Sequence, residues 1–447
     1  MLPAQQEWNE LHQVTALWQY DGNAGFTSGE ADYTSLGLSP TGQPYVAFED
    51  YSHYRRASVM KFDGNHWVYV GSAGFSSDKV MNTILRFSPS GQPFIAFSEI
   101  NGHPTVMKFD GTNWIPVGNV QFSNGIAQRM SFAFSPSGDP YVAFSDIENS
   151  GKISVMKFVG SSWEFVGMEG FSEVDARAIS LSVSPAGEPY VSYSYSDQSD
   201  TLKPAVKKYT GIGWVNVGNA GFVEGWVNNT SLTISYAGIP YVAFTSSHYY
   251  AKVSVMCFNG SEWVFVGQPG FSSSISNYIS LAFSPSGQLY VAHQGNGNVQ
   301  QATVSKFDGN DWESVGNENF SAGSSDYLNL AFSPAGQPYV AFSDNSKSYK
   351  VSVMHFPSLS GIDVLPKSNL SLYPNPALDK LTIALSNCRS NISNIEIMDI
   401  KGKSIYTERT SKGKIIVDVS NYINGIYIVT VKSNRAFCIQ KFLKIDL

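Results

Sequence analysis

The sequence predicts an all-β protein, in which a seven-bladed β-propeller of four-stranded blades is followed by a small β-sandwich. One observation behind this prediction is a set of tryptophans that recur every 47 to 51 residues, namely Trp18, Trp67, Trp114, Trp163, Trp214, Trp263 and Trp312. A second is a run similar to Pro-Tyr-Val-Ala-Phe, which occurs seven times. A repeat of this length built from short strands is typical of propeller blades.

Each repeat contains four short segments in which large and small residues alternate, as in antiparallel strands. One example of each segment, taken from different repeats, is Ser280–Ser284 for the first, Pro44–Phe48 for the second, Val351–Phe356 for the third and Trp263–Gly267 for the fourth. The turn after the first segment has proline second and glycine fourth, which suits a type I turn followed by a left-handed glycine. Asp-Gly or Asn-Gly just before the tryptophan suits a tight hairpin.

The two ends of the repeat region complement each other. The region begins with only its tryptophan strand, at Trp18, and ends at Phe356 after a third strand. We therefore predict that the N-terminal strand pairs with the third strand of the last blade, which closes the ring and removes an open sheet edge. The predicted domains are a propeller over 1–358, a linker over 359–368 and a C-terminal sandwich over 369–447.

Composition places the chain among globular proteins, since 43% of its residues are hydrophobic and 15% are charged. The net charge of −7 divides into −12 before Gly361 and +5 from that residue onward, which suggests two domains with different roles. Nothing in this pattern favours a nucleic-acid partner. No apolar run reaches the roughly 18 residues that a transmembrane helix needs.

The loops predict where a ligand would bind. The turns after the first and third strands are short and alike, whereas those after the second and fourth strands differ between repeats. The two kinds lie on opposite faces of an antiparallel blade, so we expect binding on the variable-loop face. The residues entering each innermost strand should ring the channel mouth on this face: Asp32, Tyr33, Met81, Asn82, Gln128, Arg129, Arg177, Ala178, Asn228, Asn229, Asn277, Tyr278, Asp326 and Tyr327. Such residues can hydrogen-bond a polar ligand and stack on a sugar, or the mouth holds only water.

Individual residues sharpen this hypothesis. Trp226 lies outside the repeated positions and suits either a sugar-stacking platform or a plug against a neighbouring blade. Arg86 replaces a small residue of an inner strand, and we expect it to line the channel and pair with a carboxylate such as Glu99. The predicted ligand-binding residues are Trp226, Asn228, Asn229, Tyr33, Arg129, Arg177, Tyr278, Tyr327 and Tyr249.

Sequence motifs for catalysis are absent, including HExxH, Gly-x-Ser-x-Gly and Walker-type patterns. If the protein is an enzyme, Asp32 and Asp326 are the expected carboxylate pair. The acids at the ends of the second strands are interpreted instead as loop caps: Asp50, Glu99, Asp146 and Asp344. The three cysteines lack metal-ligand spacing, so no metal or cofactor is predicted, and pairing of Cys388 with Cys438 stays open.

Four motifs follow one another near the C-terminus: YPNPA at Tyr373–Ala377, DIKGKSIY at Asp399–Tyr406, NGIYIVTV at Asn424–Val431 and KFLK at Lys441–Lys444. Together they resemble the type A C-terminal sorting domain of the Bacteroidetes type IX secretion system. The resemblance implies a signal peptide, whose pattern this N-terminus lacks. It also implies that the type IX machinery exports the chain, that a sortase-like protease removes the tail, and that the protein is released or attached to the cell surface.

The sequence thus favours an exported, cell-surface propeller that binds a glycan or another polar ligand on its variable-loop face. Two alternatives remain open. One is a protein-binding adhesin or scaffold that uses the same loops, which would need about 800 Å² of contact surface on each partner. The other is a polysaccharide hydrolase or lyase, although catalysis is not the favoured interpretation.

Overall fold

The structure is a computed structural model that describes residues 17–295, 299–357, 370–375, 377–385, 393–399, 403–433 and 436–444. The chain divides into two compact units, Met1–Phe356 and Pro357–Leu447. The predicted linker over 359–368 lies outside the described residues, as does Cys388.

The first unit contains seven four-stranded antiparallel sheets, which form the blades of the predicted propeller. The innermost strands of blades 1 to 7 are β2 (Ala31–Leu38), β6 (Val80–Phe87), β10 (Ala127–Phe134), β14 (Ala176–Val183), β18 (Val227–Ile234), β22 (Ile279–Phe283) and β26 (Ser325–Phe332). The second strands are β3 (Pro44–Asp50), β7 (Pro93–Glu99), β11 (Pro140–Asp146), β15 (Pro189–Ser196), β19 (Pro240–Ser246), β23 (Leu289–Gly295) and β27 (Pro338–Asp344).

The outermost strand of each blade is the shortest, whereas the third strand is about as long as the second. The third strands are β4 (Arg56–Phe62), β8 (Pro104–Phe109), β12 (Lys152–Val159), β16 (Leu202–Tyr209), β20 (Lys252–Phe258), β24 (Gln301–Phe307) and β28 (Lys350–His355). The outermost strands are β5 (Trp67–Tyr69), β9 (Trp114–Pro116), β13 (Ser162–Phe165), β17 (Trp214–Asn216), β21 (Trp263–Phe265), β25 (Trp312–Ser314) and, in blade 7, β1 (Gln19–Tyr20).

The N-terminal strand closes the ring, as the sequence predicts. Strand β1 pairs antiparallel with β28, with Gln19 opposite His355 and Tyr20 opposite Met354. Just beyond it, the Asp21 amide donates to the Val353 carbonyl at 3.0 Å. The outer edge of β28 is therefore covered at this point, and the last blade has four strands like the others.

The seam between neighbouring blades explains why the tryptophans repeat. Each of the seven repeat tryptophans donates its indole N–H to a main-chain carbonyl of the preceding blade at 2.7–2.8 Å, including Trp18 to Val315 across the closure. Each also stacks on a phenylalanine of that blade, with centroids 4.1–5.0 Å apart. Burial of a large ring with its N–H satisfied stabilises the seam in every copy.

A glycine lies two residues beyond the end of each outermost strand, and Gly118 shows why. Its φ of +73° is a left-handed conformation that favours glycine. A Cβ at this position would lie 2.8 Å from the Phe158 ring and 3.4 Å from the Trp163 ring. The glycine therefore allows the chain to pass close to the seam of the next blade.

The loops after the second strands are more alike in backbone than in sequence. Four of them contain a short 3₁₀ helix: Tyr51–His53, Ile147–Asn149, Ser247–Tyr249 and Asn345–Lys347. The loop-cap prediction is confirmed for Asp50 and Asp344, which accept from the Ser52 and Ser346 amides at 3.0 Å. Asp146 accepts instead from the side chains of Asn149 and Ser154 at 2.8 and 2.9 Å.

The second unit contains two antiparallel sheets. Its strands are β29 (Leu370–Tyr373), β30 (Lys380–Leu385), β31 (Ser393–Asp399), β32 (Ser404–Thr410), β33 (Lys414–Asp418), β34 (Gly425–Ser433) and β35 (Ala436–Lys444). They are ordered β29-β30-β33 in one sheet and β32-β31-β34-β35 in the other. Aliphatic and aromatic side chains from both sheets form one buried core, as expected for a small sandwich.

Candidate functional site

A cavity of about 640 Å³ occupies the mouth of the central channel in the propeller. It lies at the start of the innermost strands, on the face that carries the loops after the second strands. Seven of the predicted ligand-binding residues line it together, namely Tyr33, Arg129, Arg177, Asn228, Asn229, Tyr278 and Tyr327. Its volume falls within the roughly 300–1,000 Å³ that is usual for small-molecule sites.

A β-bulge at the start of most inner strands presents these side chains to the cavity. The register between first and second strands shifts there in blades 1, 2, 3, 4, 5 and 7. At the bulge the backbone is left-handed for residues other than glycine: Tyr33 (φ 50°), Asn82 (56°), Arg129 (48°), Ala178 (49°) and Tyr327 (54°). Each costs about 1–2 kcal/mol, and bulges of this kind re-aim side chains next to functional sites.

The neighbouring blade holds three of the bulges in place. The carbonyl of Tyr327 accepts from the hydroxyl of Thr34 at 2.9 Å, and that of Ala178 accepts from Thr230 at 2.5 Å. The Thr83 hydroxyl donates in the same way to the Tyr33 carbonyl. In these three cases the threonine that follows one bulge fixes the bulge of the preceding blade, so contacts between blades stabilise the strained backbone of Tyr33, Ala178 and Tyr327.

Three tyrosines form one side of the mouth. The ring centroid of Tyr327 lies 5.0 Å from that of Tyr33 and 5.3 Å from that of Tyr278. Burial, followed by the charge of Asp326, raises the pKa of Tyr278 to about 12. Burial raises the pKa of Tyr327 and of Tyr33 as well. All three phenols are therefore protonated at neutral pH and can donate hydrogen bonds to a ligand.

Arginines form the opposite side, on blades 2, 3 and 4. Arg129 and Arg177 are exposed to the cavity, and Arg177 has only a loose contact with Asp175, at 3.7 Å. Arg86 lines the cavity as predicted, but the expected pair with Glu99 does not form. Glu99 instead accepts from Gln121 at 2.6 Å and from Ser77, which lie in the loops before β10 and β6 and engage both of its carboxylate oxygens.

The two aspartates proposed for an enzyme lie beside the tyrosines and are not among the cavity-lining residues. The Asp32 carboxylate accepts from the Tyr51 hydroxyl at 3.0 Å, and Asp326 accepts from the Ser324 hydroxyl at 2.7 Å. Their charges help to raise the pKa of Tyr278.

Sequence reasoning missed Glu49, which is completely buried. Arg55 donates to its Oε1 at 2.5 Å, while Oε2 has no hydrogen-bond partner. Burial raises the pKa of Glu49 to about 7, and the Arg55 contact only partly offsets this. The signal was present in the repeat, since the equivalent residues are uncharged: Ser98, Ser145, Ser194, Thr245, Gln294 and Ser343.

Two predicted ligand-binding residues lie outside the cavity lining. The Trp226 side chain is 47% exposed, and the Trp226 amide donates to the Ser247 hydroxyl at 2.9 Å in the adjoining loop. Tyr249 packs edge-on against His248 and Phe265, with centroids 4.8 and 5.6 Å apart. Trp226 thus presents an exposed ring on the variable-loop face, whereas Tyr249 contributes to the packing of blade 5.

The comparison with known families decides the role of the second unit. Residues 371–445 match the secretion system C-terminal sorting domain. The C-terminal unit is a type IX sorting domain. This assignment confirms the resemblance of its four motifs and marks the chain for secretion to the cell surface. None of the described residues belongs to a helix long and apolar enough to span a membrane.

Other similarities are limited in extent. An ulvan lyase of Nonlabens ulvanivorans is 30% identical over 74 residues, which are 16% of this chain and 14% of the lyase. PorZ, a surface component of the type IX secretion system of Porphyromonas gingivalis, has a TM-score of 0.47 at 16% identity over 94% of this chain and 60% of its own. A fucose-specific lectin of Aleuria aurantia has a TM-score of 0.44 at 17% identity over 65% of this chain and 98% of the lectin.

Proposed function

We propose that the propeller is a cell-surface binding module that holds a glycan in the cavity at its channel mouth. The observation that carries this proposal is the pairing of an aromatic wall with polar groups around a single concavity of about 640 Å³. Sugars present apolar C–H faces and a rim of hydroxyls, so they suit stacking on tyrosine and hydrogen bonding to amides. Tyr278 and Tyr327 provide the first kind of contact, and Asn228 and Asn229 the second.

The strained bulges support a ligand-binding role. A left-handed backbone at five non-glycine positions costs free energy. A blade can fold without this bulge, because the first and second strands of blade 6 pair without a register shift. Strain of this kind clusters at binding sites. The bulges place the most variable residues of the repeat around the same cavity.

A second candidate is a protein-binding surface formed by the rim of the same face. Tyr54 and Tyr250 are each 81% exposed in loops after second strands, and Trp226 is exposed nearby in blade 5. Exposed aromatic residues of this kind are common at protein interfaces. A protein partner would use these rim residues, whereas a sugar would use the cavity.

A glycan array with the full chain tests the proposal, followed by titration of the best oligosaccharide. Tyr327→Ala should weaken binding by about tenfold through loss of stacking. Alanine is compatible with this backbone, because Ala178 occupies the equivalent bulge with a φ of 49°. The matched control is Tyr250→Ala, which removes an exposed tyrosine of the same face outside the cavity.

An array without any signal would contradict glycan binding. Loss of oligosaccharide binding in Tyr250→Ala with full binding in Tyr327→Ala would place the glycan site on the rim and overturn its assignment to the cavity.

A further inference from the structure

The three arginines of the channel mouth carry more positive charge than their surroundings balance. Arg86 and Arg129 form no salt bridge with any carboxylate of residues 17–295 or 299–357, and Arg177 has only the 3.7 Å contact with Asp175. The propeller as a whole is acidic, with a net charge of −12 before Gly361. All three side chains are exposed within the cavity, so their guanidinium groups are accessible to a ligand that carries a negative charge.

Arg86 differs from the residues at the same position of the other blades. The equivalent positions of the other inner strands hold only small residues: Gly37, Ala133, Ser182, Thr233, Ala282 and Ala331. One of its N–H groups donates to the Leu85 carbonyl at 2.8 Å, which leaves most of the five guanidinium donors available. Its side chain is exposed to the channel, and desolvation by the surrounding protein lowers the pKa of the guanidinium.

Positive groups line one side of the cavity, and two carboxylates lie beside the tyrosines that line the opposite side. The arginines belong to blades 2, 3 and 4, whereas Asp32 and Asp326 lie on blades 1 and 7 beside the three tyrosines. The carboxylates of Asp32 and Asp326 already accept hydrogen bonds from the hydroxyls of Tyr51 and Ser324, respectively. A ligand with an anionic group would therefore be oriented, with its charge toward the arginines and its ring against the tyrosines.

We infer that the ligand of this mouth is an acidic saccharide, whose carboxylate or sulfate group binds between Arg129, Arg177 and Arg86. The inference rests on the proposed glycan-binding function and specifies the class of sugar. Guanidinium groups suit both anions because their planar N–H pairs match two oxygens at once. Neutral sugars would leave the arginines without a counter-charge and gain only stacking and neutral hydrogen bonds.

The test compares three oligosaccharides of equal length by calorimetric titration of the full chain. One contains uronic acid, the second is the same compound with its carboxyl groups reduced to alcohols, and the third is the reduced compound carrying sulfate esters. We expect the uronate or the sulfated compound to bind at least about tenfold more tightly than the neutral one, since a charged hydrogen bond contributes more than a neutral one. The two acidic compounds reveal which anion is preferred.

Two substitutions remove the positive charge of the arginines and use residues that occupy the equivalent positions in other blades. Arg129→Asn copies Asn82, which adopts the same left-handed bulge, and Arg177→Gln copies Gln128. The double variant should lose the preference for the acidic compound and retain its melting temperature. The control is Arg409→Gln with Lys412→Gln, which removes the same charge from exposed positions of the sorting domain.

Each outcome has a distinct meaning. Equal affinity for the neutral and acidic compounds, or an acidic preference that survives in the double variant, would overturn the inference while leaving glycan binding intact. An equal loss in the sorting-domain control would show that only net charge matters and would also overturn it. Failure of all three oligosaccharides, together with an empty glycan array, would overturn the proposed function itself.

Discussion

The seam between blades and the mouth of the channel are built from the same seven repeats, yet they use equivalent positions in opposite ways. At the seam, every blade presents the same indole to the same kind of carbonyl at 2.7–2.8 Å. At the mouth, the equivalent bulge position holds tyrosine, asparagine, arginine or alanine. Identity among the copies therefore marks packing between blades, and differences among them mark the surface that is free to specialise.

Removal of a seam indole should have the largest effect on stability. Trp163→Ala deletes a buried ring that stacks on Phe122 at 4.2 Å, and it leaves the Val117 carbonyl without its donor. We expect a loss of about 3–5 kcal/mol in the free energy of unfolding of the propeller. Urea unfolding followed by tryptophan fluorescence and circular dichroism measures this loss. A change below about 1 kcal/mol would mean that the seams do not hold the ring together.

We expect an intermediate effect on stability from Glu49, which has an ionisable side chain although the equivalent residues of the other blades do not. Glu49 is protonated in the folded state up to a pH of about 7, whereas in the unfolded chain it ionises at its ordinary pKa. Between those values the folded state binds the extra proton, so stability falls as pH rises and is lowest above pH 7. Glu49→Gln, which copies Gln294 of blade 6, cannot ionise.

The difference in unfolding free energy between Glu49→Gln and the unmodified protein should therefore grow in favour of the variant from pH 5 to pH 8. The expected change is on the order of 1–3 kcal/mol. Thermal unfolding at several pH values measures it, with Ser98→Ala as a control that alters the equivalent residue without a titrating group. Parallel pH profiles for the two proteins would show that Glu49 ionises normally.

The smallest effect on stability is expected for Trp226→Ala. This tryptophan is 47% exposed, and its backbone rather than its indole bonds the adjoining loop. A surface substitution of this kind usually changes stability by less than about 0.5 kcal/mol. The same unfolding measurement beside Trp163→Ala gives a direct contrast between an indole of the seam and one of the rim. A loss comparable to that of Trp163→Ala would assign Trp226 to packing instead.

The closure of the ring and the C-terminal domain show how much of the fold could be predicted from the sequence. The truncated ends of the repeat predicted that β1 pairs with β28, and the structure confirms this pairing, with Gln19 opposite His355 and Tyr20 opposite Met354. The turn residues and the alternation of large and small residues were sufficient to predict this pairing, because the same strand order occurs in all seven repeats. The sorting domain was predicted from its motifs and is matched over residues 371–445.

The site was predicted less evenly. The sequence placed nine of the cavity-lining residues among the fourteen expected at the mouth, whereas Asp32, Met81, Gln128, Asn277 and Asp326 are not among the lining residues, and it did not reveal the bulges. It paired Arg86 with Glu99, although Glu99 is engaged by Ser77 and Gln121. A sequence shows which residues are charged, whereas the partner of a charge depends on distances between loops of different blades.

The sequence by itself determined the number of blades, the closure of the ring and the export of the chain, because each depends on local periodicity or on contiguous motifs. Only the tertiary structure decided that tyrosines from blades 1, 6 and 7 face arginines from blades 2, 3 and 4 across one cavity. The physical reason is that this arrangement joins residues up to nearly 300 positions apart, such as Tyr33 and Tyr327. Such proximity arises from the curvature of the closed ring and from strained bulges that are stabilised by the neighbouring blades.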